Sequence, residues 1–164
     1  MIKRASRVTV ISNTTPFISL SAVGKLELLP KLYGKITVPK AVVQELNAGG
    51  PILVPNVVEL SRVSIVDNIR DEHEKFLYNL DEGERQVIIH GLAAKAELVL
   101  IDEILARKIA SHLGLNIKGT LGILVQAKRK GLIKSFTNLA LKLKDQGIFF
   151  SERMINEISK SLNE

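Results

Sequence analysis

The sequence predicts an α/β protein, a three-layer α/β/α sandwich with a central parallel sheet. Three observations predict it: short β-branched runs recur along the chain, helix-start or helix-period residues follow each of them closely, and the runs are apolar almost throughout. Strands buried on both faces by crossover helices read this way, because neither side of such a strand meets water. At 164 residues the chain is long enough to bury a substantial core, and a single domain over 1–164 is expected, with no internal repeat or linker.

Val8 to Ser12 is the first strand, ending at Asn13. Thr15 and Pro16 form a helix-start signal, Thr as N-cap and Pro at the first helical position, and the helix stops near Gly24. A short helix over Leu26 to Tyr33 is closed by Gly34, Ile36 to Val38 is a strand, and Pro39 opens a helix over Lys40 to Asn47 that Gly49 and Gly50 end. Pro51 to Asn56 is a loop, Val57 to Val66 has room for one or two strands, and Asp67 to Leu80 carries helical spacing at Ile69, Phe76, Leu77 and Leu80. Helix 82–96, strand Leu98 to Ile101, helix 103–113, strand Asn116 to Lys118 and helix 120–130 follow, and helices near 135–146 and 152–162 close the sequence. Val42, Val43, Leu46, Val87, Ile88 and Leu92 are read as core.

Composition removes several function classes. The chain has no cysteine, so a disulfide framework, thiolate zinc, iron-sulfur ligation and a cysteine nucleophile are excluded, and a cytoplasmic location is expected. Lys3, Arg4 and Arg7 before Val8 to Ile11 imitate a signal peptide, but Ser12 to Pro16 break the apolar stretch, so a mature N-terminus and no membrane segment are expected. The net charge of +6 is uneven: +5 over residues 1–50, −6 over 51–104 and +7 over 105–164. Basic flanks suit nucleic acid, and solvated helix surfaces give the same count.

Motif by motif, phosphate-loop, zinc-protease and nucleophile-elbow chemistry fail. Gly114 to Thr120 (GLNIKGT) lacks the lysine before the last hydroxyl residue, His73-Glu74 is followed by Leu77 where a second histidine is needed, and no GxSxG is present. Carboxylates remain, placed where an open parallel sheet builds its sites, outside the C-terminal ends of strands. Asp102 follows one strand and precedes a helix, where binding a cation and capping the helix are equally open readings. Asp81 and Glu84 are spaced as a capping box. Gly83 inside that first turn costs about 0.5–1 kcal/mol relative to Ala, and a closely approaching group would account for it. Glu45 lies in the last turn of its helix, where its charge opposes the helix dipole unless a cation is near.

Five ordered segments, VISNTTPFISL (10–20), LLPKLYGKITVPKAVVQEL (28–46), LDEGERQVI (80–88), LVLIDEILARKIA (98–110) and IKGTLGILVQAKRKGLI (117–133), resemble PIN-domain proteins almost end to end. The LDEGE and LIDExxAR runs resemble a branch of the VapC-like ribonucleases, the toxins of toxin-antitoxin pairs. The resemblance implies a parallel α/β/α sandwich whose acidic residues converge at one sheet edge and hold magnesium or manganese. The second, third and fourth acidic positions fall on Glu45, Glu84 and Asp102, and the first, most often Asp, falls on Asn13. Asn still offers a neutral carbonyl oxygen to a hard cation but removes one negative charge, so weaker metal binding is expected.

The resemblance therefore implies a metal-dependent endoribonuclease acting on RNA, blocked by a small antitoxin and expected as a homodimer. Its rival is a catalytically weak or inactive PIN domain that binds RNA or a protein, motivated by Asn13 and the basic flanks. Thr14, Thr15 and Thr120 are candidates to hydrogen-bond the site, with helix capping preferred for Thr15 and Thr120. Arg107 is a phosphate candidate, weighed against an ordinary Glu103–Arg107 helix pair. Lys128, Arg129 and Lys130 are RNA-contact candidates, weighed against cations that suit a helix C-terminus.

Overall fold

The computed structural model describes residues 8–164. Lys3, Arg4 and Arg7, and the signal-peptide resemblance they create, lie outside the described residues. Five strands, β1 (Val10–Ser12), β2 (Ile36–Pro39), β3 (Val63–Val66), β4 (Leu98–Leu100) and β5 (Ile117–Lys118), form one sheet in the order β3-β2-β1-β4-β5. Every neighbouring pair is parallel: Val10 lies opposite both Ile36 and Leu98, Ile36 opposite Val63, and Val99 opposite Ile117. Among the described residues eight α-helices flank it: α1 (Thr14–Ala22), α2 (Leu28–Tyr33), α3 (Lys40–Ala48), α4 (Glu82–Ala93), α5 (Ile104–His112), α6 (Thr120–Arg129), α7 (Phe136–Asp145) and α8 (Glu152–Ser161). This is the expected α/β/α sandwich. No described helix is long and apolar enough to cross a membrane.

The strands are short because only their central residues need pairing, and those are sealed: Ile11, Val38, Val99, Leu100 and Ile101 have no measurable exposure. Phe17 and Leu20 of α1, Val42 of α3, Val87 and Ile88 of α4, Ile123 and Leu124 of α6, and Phe136 and Leu143 of α7 join them in one apolar cluster, with Leu46 and Leu92 partly buried against it. α4 is the long crossover that carries the chain from β3 back to β4 and packs on β1, β2 and β4. The chain thus builds outward from β1 to β3 and then restarts at β4 on the other side of β1. A crevice opens between β1 and β4 at such a reversal, outside the carboxyl ends of the strands.

Three expectations are corrected, and the reading of 57–66 is narrowed. α1 starts one residue before Thr15, with Asn13 at its N-cap and Thr15 already inside the helix. Residues 57–66 hold one strand, β3, preceded by a 3-10 turn over Val57–Glu59. The charged stretch after β3 forms only a short 3-10 helix, Glu72–Phe76, capped by Asp71. Its first part is held extended because Gln86 of α4 accepts from the Ile69 N–H at 2.9 Å and donates to the Ile69 carbonyl at 2.8 Å. α4 ends at Ala93 rather than 96, where the chain turns through Lys95 at φ +48°.

Candidate active site at the sheet reversal

β1 delivers Asn13 to the crevice. Its N–H donates to the Leu100 carbonyl at 2.9 Å, which ties the end of β1 to the end of β4, and the residue is buried. Asn13 caps α1 through its backbone only, which leaves its amide for the site. The next residue, Thr14, donates its hydroxyl to Glu45 Oε2 at 2.6 Å and lies 3.4 Å from Asn13 Oδ1. α3 carries Glu45, and its first turn is anchored by Asn68, whose Oδ1 accepts from the Ala41 N–H at 3.0 Å.

Glu45 Oε1 accepts from the Gly83 N–H at 2.9 Å, in the first turn of α4. That contact explains Gly83: a Cβ there would stand 2.4 Å from Glu45 Oε1 and 2.7 Å from Oε2. The approaching group that the misplaced glycine implied is the Glu45 carboxylate, which here meets the positive end of a helix. One residue on, the capping box is formed as expected, with Asp81 Oδ1 accepting from the Glu84 N–H at 2.8 Å and Glu84 Oε2 from the Asp81 N–H at 3.2 Å. Glu84 is 7% exposed. Burial, and then the negative charge of Asp81, with smaller contributions from Glu103 and Glu45, push its pKa up to about 7.

β4 delivers Asp102, and its neighbours decide the capping reading against it. α5 is capped by Glu103, whose carboxylate accepts from the Ala106 N–H at 2.7 Å. Asp102 turns instead to α6: Oδ1 accepts from the Thr120 N–H at 2.7 Å and Oδ2 from the Thr120 hydroxyl at 2.6 Å. Burial raises the Asp102 pKa, against the lowering effect of the two Thr120 bonds and of the Arg107 charge. Thr120 is therefore a partner of Asp102, while Gly119 occupies the N-cap of α6.

Gly119 went unremarked in the sequence. A Cβ there would lie 2.7 Å from Asp102 Oδ1 and 2.8 Å from Arg107 Nη1, so its bareness lets a carboxylate and a guanidinium share one place. The signal was the glycine in the IKGT run, set aside with the failed phosphate loop. The expected Glu103–Arg107 pair is not among the described ion pairs, because Glu103 turns back to cap its own helix.

Asn13, Glu45, Glu84 and Asp102 are thus brought to the ends of β1 and β4 and the facing ends of α3 and α4, with Thr14, Thr120 and Arg107 beside them. Lys128, Arg129 and Lys130 are not. They end α6, about 12 Å along its axis from Thr120 at 1.5 Å per residue, and Lys128 is engaged by Glu164 at 2.8 Å and the Lys134 carbonyl at 2.5 Å. Thr15, in the first turn of α1, has no described side-chain hydrogen bond.

A sequence profile of the PIN domain matches residues 9–164. The chain belongs to the PIN-domain family. No curated protein and no solved structure matched it. PIN domains are generally nucleases, and in this PIN domain β1 and β4, on either side of the reversal, lead to Asn13 and Asp102. Among the described residues no three His, Cys, Asp or Glu side chains stand close enough to hold an ion as they are. The donor chemistry nonetheless suits a hard divalent cation: every candidate ligand is a carboxylate or amide oxygen, and no described ion pair neutralises Glu45, Glu84 or Asp102.

Proposed function

We propose that this PIN domain is a magnesium- or manganese-dependent endoribonuclease of the cytoplasm. The observation that carries this reading is the set of three carboxylates at the β1/β4 reversal that no described ion pair neutralises, two of them with pKa values raised by burial and, at Glu84, by neighbouring acids. A divalent cation held by Asn13 Oδ1, Glu45, Glu84 and Asp102 would supply Lewis-acid stabilisation of charge on a phosphate and acidify a water. The chain's own residues do the positioning. Thr14 and the Gly83 N–H fix the two oxygens of Glu45, Thr120 fixes those of Asp102, and Glu84 keeps Oε1, the oxygen that the Asp81 N–H does not use, for the cation. Arg107, whose Nη1 lies over Gly119 beside Asp102 Oδ1, is the residue proposed to meet a phosphate oxygen.

Asp102→Asn is expected to abolish manganese binding by calorimetry and to lower cleavage of structured RNA by at least about a hundredfold, since altering even the outer groups of a metal site costs 10–100-fold. Cleavage unchanged in this variant would mean a contaminating nuclease and end the reading.

The LDEGE and LIDExxAR runs support a role as the toxin of a toxin-antitoxin pair. Ile104, Leu105 and Met154 leave apolar surface exposed on α5 and α8, which supports a protein partner there, a second copy in a homodimer or a small antitoxin.

Asn13 favours a second reading, a PIN domain that binds RNA or a protein with little or no cleavage. Asn13→Asp separates the two. The added charge is expected to tighten manganese binding about tenfold, because ligand charge tunes such sites. Activity that appears only in the Asp variant supports the binding module; a parent that already cleaves shows Asn13 to be a working ligand.

A further inference from the structure

Beside the carboxylates, on the α3 side, the chain forms a cleft that the cleavage reading leaves unused. α3 ends at Ala48, Gly49 turns the chain at φ +81°, and the segment that follows runs past the helix end. Between them lies a cleft of about 340 Å³ walled by Ile18, Leu46, Pro51, Ile52 and Val54, with Glu45 also in its wall. Leu53, at 91% exposed, also lines it and is the most exposed large hydrophobic residue described.

The cleft's chemistry is selective. No lysine, arginine or histidine lines it, so it offers nothing to a phosphate. Apolar side chains make most of the wall, and the polar groups are the amides of Asn47 and Asn56 and the peptide groups of Gly49 and Gly50. Asn56 is engaged at both ends, its Oδ1 accepting from the Val58 N–H at 3.3 Å and its Nδ2 donating to Glu59 Oε1 at 3.3 Å, and the Gly49 N–H donates to the Leu46 carbonyl at 3.2 Å, which leaves the Asn47 amide and the Gly50 N–H for a ligand. Apolar faces with hydrogen-bonding groups at their edges and no cation suit a flat, neutral heterocycle. Glu45 belongs both to the acidic site and to this wall, so a strand whose phosphodiester lies at the acids has an adjoining base at the mouth of the cleft.

We propose that the cleft between the end of α3 and the 49–56 loop takes an unpaired nucleobase of the RNA strand whose phosphodiester lies at the carboxylates, and so sets the base preference of the protein. The proposal rests on the nuclease reading for the place of the phosphate. An apolar side chain of a protein partner would fill the walls, but it would leave the Asn47 amide and the Gly50 N–H of the rim unanswered.

Two variants test it. Gly50→Leu adds a large side chain at a residue that lines the cleft, where the backbone is outside the left-handed region and nothing lies within 4 Å of the new Cβ. Leu53→Ser removes the exposed lip without disturbing the core. The probes are short, fluorescently labelled, single-stranded oligoribonucleotides in which each base in turn is replaced by an abasic ribose. They are read by anisotropy with calcium present and by cleavage with manganese. The wild type is expected to lose about tenfold in affinity at one abasic position, the size of a lost base contact. Both variants are expected to lose that discrimination while their manganese affinity stays that of the wild type.

A wild type that cleaves without base discrimination, or variants that retain it, overturns the cleft proposal alone. Discrimination without cleavage keeps the cleft and ends the nuclease reading. No binding of any probe overturns both. Variants that lose a co-purifying protein but keep base discrimination assign the cleft to that protein and overturn the proposal.

Discussion

Gly83→Ala is expected to weaken manganese binding by about tenfold or more and to lower RNA cleavage by about a hundredfold while the fold stays intact. The new methyl carbon would stand 2.4 Å from Glu45 Oε1 and 2.8 Å from its Cδ, well inside contact distance. The backbone of α4 accepts alanine without strain, so the carboxylate moves instead, and its bonds to the Gly83 N–H and the Thr14 hydroxyl go with it. Alanine regains about 0.5–1 kcal/mol of helix propensity, which offsets part of the lost hydrogen bonding and keeps the change in Tm to a few degrees. Adding Glu45→Asp, one methylene shorter, is expected to restore part of the metal affinity. Calorimetry and thermal melts report the two quantities separately. A Gly83→Ala protein that binds manganese like the wild type would refute the role given to this glycine.

Gly83 also marks how far the sequence could be read. Its cost within a helix turn was visible, and so was the demand for something close by, but the identity of that neighbour was not. Glu45 lies 38 residues away, and the contact depends on how α3 and α4 pack. The strand-helix alternation was legible because it is local: β-branched runs, the Pro39 start and the Gly34 and Gly49 stops each act within a few residues. Side-chain assignments at helix starts were less legible. Asp102 and Glu103 are both competent caps for α5, and only the arrival of β5 and α6 beside β4 decides that Glu103 caps while Asp102 bonds Thr120.

The misread segment after β3 has the same origin. Ile69, Phe76, Leu77 and Leu80 have helical spacing, yet Gln86 claims both backbone groups of Ile69 and Asn68 spends its side chain on α3. Those tertiary bonds outweigh a weak local preference and leave Phe76 64% exposed. The distance of the basic cluster 128–130 from the carboxylates was not legible either. Charge counts carry no information about which end of a helix faces the site, and α6 presents Thr120 there and Lys128 at its far end.

Glu84→Gln is expected to stabilise the metal-free protein at pH 8 and to reverse that ranking when manganese is added. Burial, together with Asp81, Glu103 and Glu45, raises the Glu84 pKa from 4.5 to about 7, so the folded protein holds a proton that the unfolded chain releases. Between those values the native state binds more protons, and its stability falls as pH rises. The penalty is absent below pH 4.5 and complete above pH 7. That displacement corresponds to a ceiling of about 3 kcal/mol, which local water and relaxation reduce to about 1–2 kcal/mol. Glutamine keeps the capping box, because its amide oxygen still accepts from the Asp81 N–H, and it removes the charge. The expected gain is about 3–6 °C in Tm at pH 8, fading to nothing near pH 4. With manganese present the wild type gains stability by mass action and the variant much less, since it has given up a ligand charge. Melts of both proteins from pH 4 to pH 8, with and without the metal, decide the matter. A metal-free variant less stable than the wild type at pH 8 would show that the Glu84 charge is already compensated by the protein, and the cation would lose its reason to bind there.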